Sequence, residues 1–85
     1  DCDRFSKDFY VNLLKQGITS EIYWTMKDKE GFNYFVNVVP INNKQVYIYD
    51  FTVQSPLIAM IKPNQIKDFL SDKYGGTWKR RNDLN

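Results

Sequence analysis

The chain has 85 residues, 42% hydrophobic and 16% aromatic, which suffices for one packed core and argues against disorder. Its formal charge of +2 is only mildly basic and neither demands nor hinders a nucleic-acid partner. It has no histidine and one cysteine, which removes Cys–His and Ser–His pairs, histidine zinc sites, cysteine metal clusters and an internal disulfide.

Catalysis, if any, must then use Cys, Asp, Glu, Lys, Arg, Tyr or Asn, and no metal or cofactor is expected. No apolar run approaches the ~18 residues of a membrane span. The chain opens "DCDRF", without an initiating methionine or a signal peptide. It reads as a single domain, 1–85, cut from a longer protein.

"CDRFSKDFYVNLLKQG" carries Phe5, Phe9, Leu13 and Leu14 at helical spacing, with Tyr10 and Val11 widening the stripe. Asp1 or Asp3 can cap this helix, and Gly17 suits the position just past its end. "ITSEIYWTM" alternates Ile22, Trp24 and Met26 against Glu21, Tyr23 and Thr25, the period of a strand. "KDKEG" is a polar turn.

Residues 32–39 and 45–53 form a second and a third strand, joined by "PINN" as an antiparallel hairpin. "QSPLIAMIKP" reads as an irregular apolar connection. "NQIKDFLSDKYG" is a short helix with Asn64 at its cap and Ile66, Phe69 and Leu70 facing inward; Gly75–Gly76 end it. Residues 77–85, "TWKRRNDLN", form a basic mobile tail. The expected architecture is α+β: an N-terminal helix, a three-stranded antiparallel sheet and a C-terminal helix.

Three residues line up as a constellation. Cys2 opens the first helix, where the helix dipole favours thiolate while Asp1 and Asp3 oppose it. Asn33 begins the second strand and Asp50 lies in the third. A hairpin closed by a loop of even length would put 33 and 50 on the same face of the sheet.

This order, over residues 2–55, resembles the core of the papain-like fold found in transglutaminase-like proteins and papain-fold toxin domains of bacterial polymorphic toxins. The matching segments are "CDRFSKDFYVNLLKQGI", "SEIYW", "GFNYFVNVV" and "VYIYDFT". The resemblance implies Cys2 as nucleophile and Asp50 as orienter, with Asn33 in the seat of the histidine base. An amide cannot take the thiol proton, so the site is degenerate, or works from a pre-formed thiolate.

It further implies an effector domain used in bacterial competition, including contact-dependent inhibition. Such a domain is delivered into the target-cell cytoplasm, acts there on a protein or peptide-like substrate, and is neutralised by a cognate immunity protein. Two alternatives accompany it. One is a histidine-free ribonuclease toxin acting on tRNA, with Lys73, Trp78, Lys79, Arg80 and Arg81 as a basic-aromatic RNA-binding patch. Lys44, Lys62 and Lys67 are further cations for a phosphodiester. The other is a non-catalytic protein-interaction module, to which the missing histidine points.

Overall fold

A computed structural model describes residues 2–81, with side chains from residue 4 onward. The chain runs through α1 (Cys2–Lys15), β1 (Glu21–Thr25), β2 (Tyr34–Pro40), β3 (Val46–Tyr49), β4 (Leu57–Ile61), a 3-10 turn (Pro63–Gln65), α2 (Ile66–Tyr74) and β5 (Lys79–Arg80). Every strand pairs antiparallel with its neighbours in the order β4-β3-β2-β1-β5. The α+β class stands, but the three-stranded expectation is corrected to five strands among the described residues.

Both additional strands lie at the sheet edges. The apolar connection 54–63 contains β4, paired with β3 through Val46↔Ile61, Tyr47↔Met60 and Ile48↔Ala59. The segment 77–81 contains β5, which pairs with β1 through Tyr23↔Arg80 and Trp24↔Lys79. Gly75 and Gly76, both at positive φ, make the reversal that returns the chain to β1. A Cβ at Gly76 would run into the Lys27 carbonyl and the Thr25 hydroxyl, so the approach requires glycine.

Strand alternation distributes the layers. Tyr23, Val36, Val38, Val46 and Ile48 pack with Ile66 and Leu70 of α2 and with Trp78 into the main apolar core. The opposite face carries Asn37 and Tyr49, and α1 lies there. Asn37 donates from Nδ2 to the Ser6 carbonyl at 2.9 Å, and the Phe9 ring meets Tyr49 and Phe51 at 5.2 and 4.7 Å between centroids. The sheet is thus covered by one helix on each face.

The α1 stripe is rotated from the one expected. Ser6 is buried and Phe9, Tyr10 and Leu13 are half-buried, while Phe5, Val11 and Leu14 are exposed. Among the described residues no helix is long and apolar enough to cross a membrane.

Candidate functional site

Asp50 follows β3 directly and is 1% exposed. Its Oδ2 accepts from the Tyr34 hydroxyl at 2.8 Å and the Tyr74 hydroxyl at 2.6 Å. Its Oδ1 accepts from the Thr52 backbone N–H at 2.9 Å and the Thr52 hydroxyl at 2.6 Å. The Tyr34 and Thr52 hydroxyls also lie 2.6 Å apart. Each has one proton, so only two of the three contacts among Tyr34, Thr52 and the ionised Asp50 carry a hydrogen bond at a time.

Burial pushes the Asp50 pKa up, but hydrogen bonds from Thr52, Tyr74 and Tyr34 outweigh it and hold the carboxyl below its ordinary value. Burial and the bond to this carboxylate push Tyr74 up, so it remains a neutral donor. No cation pairs with Asp50 among the described residues. The Tyr34 and Tyr74 rings stack with centroids 4.6 Å apart. The cluster therefore ties β2, the β3–β4 turn and the end of α2 together, with the carboxylate's acceptor sites filled from within the fold.

The hairpin register separates the other expected members. β2 and β3 pair as Asn37↔Tyr49 and Val38↔Ile48, closed by residues 41–45, an odd-length loop. Extended outward, that register sets 50 against 36 and 33 against 53. Tyr34, one position along from Asn33, is the residue that alternation turns toward Asp50. Asn33 is exposed and lies ahead of β2. Cys2 begins α1, and its side chain lies outside the described residues. The structure thus brings Asp50 to Tyr34, Tyr74 and Thr52, none of which sequence reasoning placed beside it; the hairpin parity was the signal that could have found Tyr34.

The basic-aromatic set divides between the two faces of the sheet. Trp78 is 2% exposed, packed against Tyr34 and Tyr74, with its Nε1–H donated to the Gly75 carbonyl at 2.9 Å. It is a core residue rather than an exposed stacking surface. Lys73 lies over the Tyr74 ring on the α2 side. Arg80 pairs with Glu21 at 2.9 Å. Lys79 and Arg81 turn to the other face, beside Trp24 and Phe35.

One end of the sheet gathers lysines. Between Glu30 and Asp68 the one acidic residue is Asp50, which is buried, while Lys44, Lys62 and Lys67 are all exposed. Lys44 and Lys62 line two adjoining surface concavities of about 450 and 460 Å³, at the end of β4 that leads to the 3-10 turn. No cluster of three or more metal-ligating side chains occurs among the described residues.

Comparison with known proteins gives no match: no family model, no curated protein and no solved structure is significantly similar to this chain.

Proposed function

We propose that this domain is a non-catalytic protein-interaction module that receives an extended strand of a partner protein on the β4 edge. The carrying observation is β4 itself: five residues, Leu57–Ile61, uncharged throughout, with Leu57 and Met60 about half exposed and no further strand beyond them among the described residues. An edge of this kind presents unpaired backbone N–H and C=O groups, and proteins normally blunt it with charge, brevity or cover. Here Pro56 and Pro63 bound it and one register irregularity marks its Leu57 end, but no side chain of the strand carries charge. Strand addition supplies main-chain hydrogen bonds, with alternate side chains giving selectivity.

The surroundings of β4 favour an acidic partner. Antiparallel addition puts the partner's N-terminal end beside Lys62 and Lys44, which line two concavities with no carboxylate among their lining residues. The preferred occupant is an extended apolar segment led by Asp or Glu. An immunity-type protein is one partner that could present such a segment. The thiol-based reading draws less support, since the Asp50 carboxylate is already filled by tyrosine and threonine donors.

The test uses a peptide of about ten residues alternating Val and Thr, led by two Asp, followed by NMR. The expected result is saturable shifts over residues 57–61, weakened about fivefold when Lys replaces Asp in the peptide. Leu57→Glu/Met60→Glu in the protein should abolish them. Shifts confined to other surfaces, or unchanged in the double variant, would refute the reading.

A further inference from the structure

The opposite half of the sheet carries a second arrangement. Across β5, β1 and β2, three residues lie in one line on one face: Lys79↔Trp24↔Phe35. The Trp24 and Phe35 rings are nearly parallel, 15° between planes, with centroids 6.2 Å apart. Neither residue is fully buried. The Arg81 guanidinium lies 5.8 Å from the Phe35 ring centroid.

Trp24 and Lys79 also line a concavity of about 360 Å³ with Met26, Lys27, Gly76 and Thr77. Lys27 and Lys79 are exposed, and Met26 is 71% exposed. The nearest acid in sequence, Asp28, turns one carboxylate oxygen into its own loop, accepting from the backbone N–H groups of Glu30 and Phe32.

Aromatic rings on adjacent strands, edged by cations, meet the two requirements of single-stranded nucleic acid. Bases need a planar apolar surface, and phosphates need positive charge one nucleotide away. The concavity is within the size range that holds a nucleotide-sized group. The buried Trp78 meets neither requirement, and Arg80 lies on the other face.

We infer that the Lys79–Trp24–Phe35 row, with Lys27, is a contact surface for single-stranded nucleic acid. A base stacks on the Trp24 ring, and the flanking phosphates lie on Lys27 and Lys79. The surface is separate from β4, so a protein strand and a nucleic-acid strand can be held together. The inference does not depend on the β4 reading.

Fluorescence anisotropy of a labelled oligouridylate of about ten nucleotides, titrated with the whole chain from about 50 mM salt upward, tests it. The expected result is binding whose affinity falls linearly on a log–log salt plot. Lys27→Gln/Lys79→Gln should lower that slope by about 1.4, from about 0.7 per phosphate contact on a single strand. Trp24→Leu should weaken binding roughly tenfold or more, with the slope unchanged.

The lysine variants touch only exposed side chains and keep the test decisive if Trp24→Leu fails to fold. No binding at roughly 100 µM protein would overturn the inference. So would an unchanged slope in the lysine pair, or equal affinity for duplex DNA. Uridine monophosphate competing as well as the oligomer would replace the polymer with a free nucleotide and would also overturn it.

Discussion

At one edge of the sheet β5 contributes two residues, both cationic; at the other β4 contributes five, none charged. The β5 edge is short and charged, which are two of the ways natural sheets prevent unwanted pairing. It is also anchored, because Trp78 just before it is buried against Tyr34 and Tyr74. The β4 edge has the pairing capacity without those devices. One sheet therefore has one border blunted by brevity and charge and one that is not, and the proposed strand docking rests on that contrast.

The strongest way to break this contrast is to remove the anchor of the closed edge. Trp78→Ala should cost about 3–5 kcal/mol, the usual range for emptying a buried aromatic site, read as a shift of the urea midpoint. Hydrogen exchange at residues 79–81 should rise well above that at 57–61. If β5 stays as protected as in the parent, Trp78 is not what holds it.

Next in size is Asp50, which secures the turn leading into β4. Asp50→Ala deprives the Tyr34, Tyr74 and Thr52 donors of their acceptor and should cost about 3 kcal/mol. The pH dependence follows from its lowered pKa. A carboxyl held below its ordinary value contributes stability that is complete above that value and is lost as pH falls through the lowered one. The parent should therefore weaken progressively below roughly pH 4. The variant should lose less over the same interval, measured by urea unfolding at each pH. Equal acid sensitivity in the two proteins would place the acid-labile group elsewhere.

How far these features could be read from the sequence depends on how strongly each is encoded locally. The α1 stripe is rotated, and β1 and β2 are buried on both faces at Ile22–Tyr23 and Val36–Val38. Even so, α1 follows from helical spacing, β1 and β2 from runs of β-forming residues and β3 from clean alternation. β4 does not: "LIAMI" is apolar at every position and offers no alternation to read. β5 has two residues, and its strand pairing is bound up with the Gly75–Gly76 reversal and the burial of Trp78, both tertiary effects.

The Asp50 cluster was missed by one residue of parity. A loop over 41–45 instead of an even one exchanges Asn33 for Tyr34. Lys44 and Lys62 were recognisable as cations, but only the hairpin and the turn after β4 bring them to one end of the sheet.

The smallest expected effect separates two explanations of the closed edge. Arg80 and Glu21 form an ion pair at 2.9 Å, linking β5 to β1, yet their side chains are 54% and 26% exposed. A pair in that setting gains little over its hydrated partners and loses side-chain freedom in forming. Glu21→Gln should therefore cost about 0.5 kcal/mol or less and become undetectable at about 1 M salt, where the screening length falls to roughly 3 Å. Exchange at residues 79–81 should stay within twofold of the parent. A loss comparable to that of Trp78→Ala would mean that charge pairing, and not the buried indole, keeps this edge closed. The open state of β4 would then follow from its lack of charge alone.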